Sequence, residues 1–397
     1  MCIRDSAYSM MFEDEVFHDF CIRREYSKRD LIKIARNIIK EKVEDLIFLD
    51  SIPHPYLILQ EIDRIGEIPS KVTIHLYGDF TLELENWKKA FDVLKKTQLK
   101  LIVASEKQKR LVQSLVDIDQ VVVCPFPVNS SNFYVDKKLR DFERKRLKIS
   151  KKEVVFFYTG RLSEKKEILT LIELYEKISN QSKNNTSLYI AGKFDDIVNP
   201  VIGRYYDRGR YEFNFLHRFK KIPKNIRDNI HFLGQLNDLQ LLTLCNFGDV
   251  FISLSLYHDE DFGMSPIEAL MCGSQAILTD WAGYHSFALN PLCKLVNTQQ
   301  VSGVESLNIQ HAQRVAKKVS SQLMTLATRY GFSREYSERF SIEGVANQLI
   351  DLYFEEFNFC RGLSKKGDLF LKYKKKPWSK EFYKVFLNVY KCYVTDK

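Results

Sequence analysis

Acidic side chains are concentrated in one short stretch of the sequence, DEDFGMSPIEALMCG at residues 259–273. Glu260 and Glu268 stand eight positions apart, and Asp259 and Asp261 flank the first of them. Carboxylates in such an arrangement could bind a divalent cation, act as an acid/base pair, or accept hydrogen bonds from the hydroxyl groups of a ligand. The residue types alone leave all three possibilities open.

The pattern after Glu260 is typical of a loop that leads into a helix. Ser265, Pro266 and Glu268 together have the form of a capping box, with the proline at the first helical position. Gly263 lets a ligand approach the backbone closely, and the free N–H groups and dipole of a helix N-terminus favour an anion. The stretch therefore predicts an anion site, although Glu268 could equally serve only to cap its helix.

Basic side chains follow another apolar run, in YTGRLSEKK at residues 158–166. Arg161, next to Gly160, offers a planar fork for phosphate, and Lys166 offers a point charge on a flexible stem. Taken alone, basic residues near a helix start are usually solvated surface. Two such strand-end sites in one domain could meet on a single diphosphate.

Apolar runs that alternate with helical spacing must position these residues. The runs lie at 45–50, 71–77, 100–105 and 120–125, and again at 153–160, 187–192, 229–234, 249–255 and 274–280. Strands that alternate with helices indicate parallel α/β sheets, whose ligands bind at the carboxyl ends of the strands. We predict Rossmann-like domains at 1–135 and 136–355 that face an interdomain cleft, an aromatic and basic insertion at 194–228, and a basic tail at 356–397.

Composition and charge exclude several classes of protein. The net charge is +9, but residues 361–397 alone hold eleven Lys or Arg against three Asp or Glu, so the rest of the chain is nearly neutral and no nucleic-acid partner is predicted. The sequence contains no run of 18 apolar residues, so no membrane-spanning helix is predicted. The eight cysteines form no CxxC or Cys/His cluster, which favours reduced thiols in a cytoplasmic protein over a zinc site.

The second predicted domain resembles the C-terminal domain of retaining GT-B glycosyltransferases of family 4. GRLSEKKEILTLIELY resembles the family's Gly-Arg-Leu…Lys motif, and HFLGQLNDLQLLTLCNFGDVFISLSLYHDEDFGMSPIEALMCG resembles its E-x7-E region. FSIEGVANQLIDLY, at 340–353, is similar to the helix that closes these domains. The resemblance covers about 100–355 and implies a retaining, hexosyl-type transfer from a nucleotide-diphosphate sugar to a glycan or lipid-linked acceptor in polysaccharide biosynthesis.

The resemblance also implies roles for individual residues. Arg161 and Lys166 would neutralise the donor diphosphate, as the charge that develops on this leaving group requires. Glu268 would hold the ribose hydroxyls of the nucleotide. Glu260 would lie near the donor sugar, and His75, at the end of a predicted strand of the first domain, would face it; these two are the catalytic candidates. The remaining donor-binding candidates are Gly160, Phe262, Gly263, Met264 and Ser265, and neither a metal nor a cofactor is implied.

The N-terminal part departs from the family. The first glycine of the chain is Gly66, so no glycine-rich loop can be drawn from residues 1–65. The opening MCIRDS resembles a string that recurs at the starts of reading frames from metagenome assemblies. We therefore expect an incomplete, N-terminally truncated first domain and little or no transfer activity. A smaller departure is Glu167, which stands where the family commonly has glycine.

A metal-dependent transferase is one alternative. Asp259, Glu260 and Asp261 form a D-x-D after a predicted strand, which could hold a divalent cation at a diphosphate. Against this, the triplet lies deep in the second half of the chain, downstream of the second phosphate-site candidate.

The other alternative is a non-catalytic protein that binds nucleotides or glycans and associates with a membrane. A lysine-rich stretch of the tail, at 372–376, precedes a predicted helix that carries Phe382, Phe386, Val389 and Tyr393 on one face. Such a helix could lie on anionic lipid at the inner face of the membrane, as a peripheral contact through 361–397. It could equally pack back on the body of the protein.

Overall fold

The structure is a computed structural model that describes residues 27–49, 55–78, 80–182, 184–199, 204–205, 209–258, 260–301, 304–353, 357–376 and 379–393. The predictions made for MCIRDS and for a truncated N-terminus fall on residues outside these ranges.

Helices and strands alternate in the first third of the chain, as the apolar runs predict. They are α1 Lys28–Lys40, β1 Asp45–Phe48, α2 Pro55–Ile65, β2 Lys71–His75, α3 Leu84–Leu94, β3 Gln98–Val103, α4 Glu106–Leu115, β4 Val116–Ile118 and β5 Val122–Val123.

The alternation resumes after a linker helix. The elements are α5 Lys137–Arg146, β6 Val154–Thr159, α6 Ile168–Gln181, β7 Thr186–Ala191, β8 Ile197–Asn199, β9 Arg204–Tyr205, α7 Arg210–Phe219, α8 Lys224–Arg227, β10 Ile230–Gly234, α9 Asp238–Phe247, β11 Val250–Ser253, α10 Met264–Met271, β12 Gln275–Thr279, β13 Cys293–Val296, β14 Thr298–Val301, β15 Val304–Leu307, α11 Ile309–Ser321 and α12 Leu326–Phe340. The C-terminal part adds α13 Ile342–Tyr353, β16 Asn358–Leu363, α14 Lys365–Lys374 and α15 Lys380–Tyr390.

The chain forms two compact units whose boundaries differ from those predicted. The first unit ends at Phe126 and is rejoined by Val345–Tyr393, whereas the second unit is Pro127–Gly344. The chain rejoins the first unit within α13 because Val345 and Leu349 are buried against apolar side chains of β3 and of the β5 region. The segment predicted as a separate tail is thus part of the first unit.

The sheet of the first unit is parallel except for one strand. β1, β2 and β3 pair in parallel, and β5 also pairs in parallel with β3. β16 enters the sheet between β3 and β4 and runs antiparallel to both. The parallel pairing that was predicted from apolar runs is therefore found for β1, β2, β3 and β5. The antiparallel strand β16 was not predicted.

The C-terminal amphipathic helix packs inside the first unit. Phe382, Phe386 and Val389 are at most 5% exposed, and the hydroxyl groups of Tyr390 and Thr81 lie 2.7 Å apart. The Nζ of Lys107 donates to the Tyr393 carbonyl at 2.8 Å. The apolar face that could have lain on lipid is therefore buried in protein. Among the described helices, none has both the length and the apolar character needed to cross a bilayer.

The sheet of the second unit is wholly parallel, in the order β10-β7-β6-β11-β12-β13. All residues of β6, β7, β11 and β12 are buried, as expected of a parallel sheet covered on both faces. β6 and β11 are direct neighbours, with Val250 paired to Phe156. The loops that follow these two strands therefore begin side by side.

A buried ionic cluster fixes the linker helix α5 to this sheet. The carboxylate of Asp249, which is 3% exposed, lies 2.5 Å from Arg140, 3.0 Å from Arg144 and 3.4 Å from Arg329. It also accepts the N–H of Val155 at 3.0 Å. Burial alone would raise the pKa of Asp249, but Arg140, Arg329 and Arg144 hold that pKa below its usual value.

Candidate functional site

The loops after β6 and β11 carry the residues predicted to do chemistry. The backbone N–H of Leu256 donates to the Lys165 carbonyl at 2.9 Å, which ties the two loops together. The sequence prediction that two strand-end sites lie side by side is consistent with this contact and with the pairing of the strands.

The backbone segments at the ends of β6, β7 and β10 approach each other closely at the site. The N–H of Gly160 donates to Ala191, and the N–H of Gly192 donates to Gly234. A Cβ at Gly192 would stand 1.8 Å from the carbonyl oxygen of Gly160, and the φ of Gly192 is +146°. Only glycine fits such a position, and its place as the last residue of the predicted strand at 187–192 is the signal that could have identified it.

A cavity of about 850 Å³ opens at the carboxyl edge of the sheet. Strand-end loops of β6, β7 and β10 line it together with the first turns of α10. Four predicted donor-binding residues meet there, namely Gly160, Arg161, Ser265 and Glu268.

Arg161 is held by groups that the sequence analysis did not select. Its guanidinium donates to Asp195 at 3.0 Å and lies over the ring of Tyr257, 5.0 Å from the ring centroid. Asp195 lines the same cavity, as do Lys193 and Gln235. These residues carry no motif: Asp195 belongs to the insertion, Lys193 directly precedes it, and Gln235 follows β10. Only the fold brings them to the same cavity as Arg161.

Lys166 and Glu260 form an ion pair next to this cavity. Their side chains are 13% and 10% exposed, and the Nζ of Lys166 also lies 4.9 Å from the ring centroid of Tyr257. The N–H of Gly283 donates to the carbonyl of Glu260 at 2.7 Å, which fixes the backbone of the loop after β11 at Glu260. Two residues predicted to bind adjacent parts of a donor, the diphosphate and the sugar, thus contact each other directly.

Glu268 is not a helix cap. Helix α10 begins at Met264, and its N-cap is Gly263 in a left-handed conformation, without a side-chain cap. The predicted capping box of Ser265 and Glu268 is therefore wrong, because the helix starts two residues earlier than the Ser-Pro pattern suggests. Glu268 faces the cavity instead, and burial, with a smaller contribution from Asp238, raises its pKa to about 8.

Other predicted donor-binding residues take structural positions. Phe262 is 1% exposed and packs on Phe287 and Phe340, so its side chain belongs to the core. Gly263 has a φ of +109°, and a Cβ there would stand 2.7 Å from Tyr284. Met264 is partly exposed in the first turn of α10.

His75 lies in the first unit, at the end of β2. Its ring is 1% exposed, and Nδ1 lies 3.0 Å from the hydroxyl of Tyr77. That hydroxyl is also 3.3 Å from the carbonyl of Cys124. The catalytic role of His75 stays a prediction.

Asp259, the first residue of the D-x-D motif, falls outside the described residues. Asp261 is 7% exposed. Within the described ranges, no three His, Cys, Asp or Glu side chains are grouped so as to hold a metal ion.

Comparisons with known proteins bear on the family and the fold. Residues 140–291 match the family model described as glycosyl transferases group 1. The lipopolysaccharide 1,2-N-acetylglucosaminetransferase of Salmonella typhimurium is 24% identical over 280 residues, which span 70% of this chain and 65% of that protein. The chain thus covers slightly less than two thirds of this relative's length.

Solved structures resemble the chain over most of its length. Sucrose-phosphate synthase from Thermosynechococcus elongatus has a TM-score of 0.60 at 18% identity and covers 84% of this chain and 79% of its own. Anabaena HepE in complex with UDP-glucose has a TM-score of 0.56 at 14% identity, with 81% of each chain covered. The predicted GT-B fold and the predicted resemblance to group 1 glycosyltransferases are confirmed.

Proposed function

We propose that this chain, a group 1 glycosyltransferase by the match of its residues 140–291, transfers a hexose-type sugar from a nucleotide-diphosphate sugar with retention of anomeric configuration. The observation that carries the proposal is the cavity in which Arg161, the start of α10 and Glu268 face one space. Its volume of about 850 Å³ falls within the range of small-molecule and cofactor sites.

The charges divide the site into two parts. Arg161, Lys166 and the N–H groups of the first turn of α10 are suited to a diphosphate, because they supply positive charge and hydrogen-bond donors. Glu268 is suited to ribose hydroxyls, which donate hydrogen bonds to a carboxylate. The ion pair between Glu260 and Lys166 supports a role for Glu260 beside the sugar that is bonded to the diphosphate.

The chemical step breaks the bond between the anomeric carbon and the diphosphate oxygen. The acceptor hydroxyl forms the new bond on the same face of the sugar and loses its proton, and the nucleoside diphosphate leaves with the electron pair. Fixed positive groups lower the barrier because they are aimed at charge that develops in the transition state. Arg161 and Lys166 can supply that stabilisation, so we propose a reaction that requires no metal.

The relatives suggest which substrates to test first. HepE has been solved with UDP-glucose, and the Salmonella relative is named for the transfer of N-acetylglucosamine to lipopolysaccharide. We propose a UDP-hexose as donor and a glycan or lipid-linked saccharide as acceptor, assembled on the cytoplasmic side of a membrane.

The test combines donor binding with product analysis. Calorimetry against UDP-, GDP- and ADP-sugars should select one base, and proton NMR of the product should show the anomeric configuration of the donor. Undiminished transfer in excess EDTA is expected, whereas loss of transfer that Mg²⁺ or Mn²⁺ restores would instead support the D-x-D alternative. An inverted product would contradict retention.

A non-catalytic nucleotide- or glycan-binding protein is the remaining alternative. It shares the donor-binding prediction and differs only in turnover. Donor binding without sugar transfer or donor hydrolysis, across acceptors of varied structure, would favour it.

A further inference from the structure

A second cavity, of about 550 Å³, lies on the second unit. It shares no lining residue with the cavity around Arg161 and Glu268, called the donor cavity below. One wall comes from the start of α6 and the short 3-10 helix before it, Glu164–Lys166. The opposite wall comes from α7 and from Lys221, two residues beyond its end. Tyr211, Asn214, Arg218 and Lys221 recur at helical spacing, so they form one stripe that faces the cavity.

The two walls differ in charge. His217, Arg218 and Lys221 supply cationic or hydrogen-bond-donating groups on the α7 side, and all three are exposed to solvent. Glu164 and Glu167 supply carboxyl groups on the α6 side, with Asn214 opposite them. Leu169 and the ring of Tyr211 provide apolar surface between these polar groups.

Glu167 occupies an unfavourable backbone conformation. Its φ of +55° and ψ of +36° are left-handed, a region that residues with a Cβ rarely adopt and that glycine adopts freely. The hydroxyl of Thr170 donates to its carboxyl at 2.5 Å, and burial raises its pKa. Strained non-glycine residues of this kind cluster at functional sites. The carboxyl group of Glu167 is thus fixed at the start of α6, where the residue lines the second cavity.

Residues that line the second cavity are linked at two points to residues of the proposed donor site. Glu167 directly follows Lys166, which pairs with Glu260. Asp196 lines the donor cavity and accepts the N–H groups of Gly209 and Tyr211 at the start of α7, at 2.8 and 3.1 Å. A ligand in the second cavity would thus contact elements that also border the donor.

We propose that the second cavity binds a saccharide that carries a phosphate or carboxylate group. His217, Arg218 and Lys221 would bind the anionic group, and Arg218 can do so through two parallel hydrogen bonds. Glu164, Glu167 and Asn214 would accept hydrogen bonds from sugar hydroxyls. Leu169 and Tyr211 would contact the apolar face of the ring. The choice of a saccharide rests on the proposed function.

Calorimetry of the full chain with glucose 6-phosphate tests this assignment. Glucose and inorganic phosphate should each bind at least about tenfold more weakly than glucose 6-phosphate, because each lacks one half of the contacts. The double variant Arg218→Ala, Lys221→Ala should weaken glucose 6-phosphate binding about tenfold or more, and Lys220→Ala, on the same helix end but outside the cavity, should not. Circular dichroism melting confirms that each variant is folded.

Two cross-checks separate this site from the donor site. Arg161→Ala should leave glucose 6-phosphate binding unchanged, and the Arg218, Lys221 double variant should leave UDP binding unchanged. A phosphorylated oligosaccharide is then compared with glucose 6-phosphate, with its phosphatase-treated form as the control. Whichever of the two phosphorylated ligands binds more tightly shows whether the site prefers a sugar within a glycan or a free sugar phosphate. The assignment is overturned if neither phosphorylated ligand nor glucuronate binds at about 10 mM to folded protein, or if the double variant binds them like the parent. Loss of UDP binding alone would count against the proposed function and not against this cavity.

Discussion

Lys166 donates a hydrogen bond from Nζ to Oε2 of Glu260, in an ion pair that joins the loop after β6 to the loop after β11. Both side chains are largely shielded from solvent, at 13% and 10% exposure. The charge of Lys166 is therefore balanced by a carboxylate before any phosphate arrives. A diphosphate that binds here would compete with Glu260 for the same ammonium group.

Substitution of Glu260 and substitution of Lys166 should affect donor binding differently. Glu260→Gln releases Lys166, so UDP should bind as tightly as in the parent or up to about tenfold more tightly, while transfer falls. Lys166→Ala should weaken UDP binding about tenfold and destabilise the protein by about 1–3 kcal/mol, since it leaves Glu260 shielded and unpaired. Calorimetry and urea unfolding measure both effects, with Lys165→Ala as the matched control. Equal loss of UDP affinity in the Glu260 and Lys166 variants would contradict this account.

Donor binding should depend on pH through Glu268. Burial raises the pKa of this carboxyl to about 8, so it is mostly protonated in the free protein at neutral pH. If the ionised form binds the ribose hydroxyls, UDP affinity should rise between pH 6 and pH 9, by at most about tenfold per pH unit below 8. Calorimetry across this range should show the rise in the parent and its absence in Glu268→Gln. A parent profile that is flat or falls with pH would oppose the role of the carboxylate.

The raised pKa of Glu268 also determines how the free energy of unfolding depends on pH. The folded state binds a proton at Glu268 that the unfolded chain releases at lower pH, so this stabilisation is complete below the unfolded pKa and is lost as pH rises towards 8. Glu268→Gln should remove that component from the pH profile of the free energy of unfolding.

The Asp249 cluster should be essential for the stability of the second unit. Asp249→Asn removes the charge that balances Arg140, Arg144 and Arg329, which should cost about 3–5 kcal/mol in urea unfolding. The control is Glu338→Gln in the exposed pair with Arg334, where at most about 0.5 kcal/mol is expected.

Because the pKa of Asp249 is lowered, its contribution is present above the unfolded pKa and is lost as pH falls through the folded pKa. The difference between the parent and Asp249→Asn should therefore shrink in acid. A cost for Asp249→Asn no larger than that for Glu338→Gln at neutral pH would refute the assignment of a stabilising cluster.

The C-terminal helix α15 should behave as core and not as a detachable tail. Phe386 is 5% exposed, so Phe386→Ala should cost about 3–5 kcal/mol. Phe359, in the same C-terminal segment but 56% exposed, should cost at most about 0.5 kcal/mol when it is changed to Ala. Urea midpoints compare the two variants, and similar small costs for both would mean that the segment is not packed in solution.

Local signals in the sequence predicted most of the second unit. The strand predicted at 153–160 is Val154–Thr159, and the one predicted at 249–255 is Val250–Ser253. Apolar runs locate these strands because both faces of a parallel sheet are buried. The resemblance then selected Arg161 and Glu268, which do line one cavity.

What escaped prediction depends on contacts distant in the chain. NFCRGL, at 358–363, has no continuous apolar run, and β16 forms because it can pair between β3 and β4. The Asp195 that binds Arg161 lies 34 residues away, on the insertion. The predicted start of α10 was two residues too late because Gly263, in a left-handed conformation, is the N-cap, which a Ser-Pro pattern does not reveal.

The central claim is that the cavity around Arg161 and Glu268 binds a nucleoside diphosphate. Calorimetric titration of UDP into the parent, Arg161→Ala and the surface control Arg334→Ala tests it most directly. Since Arg161 would make a charge-assisted contact with the diphosphate, Arg161→Ala should weaken binding by about tenfold or more, and Arg334→Ala should bind like the parent. UDP binding that is the same in all three folded proteins would contradict the claim.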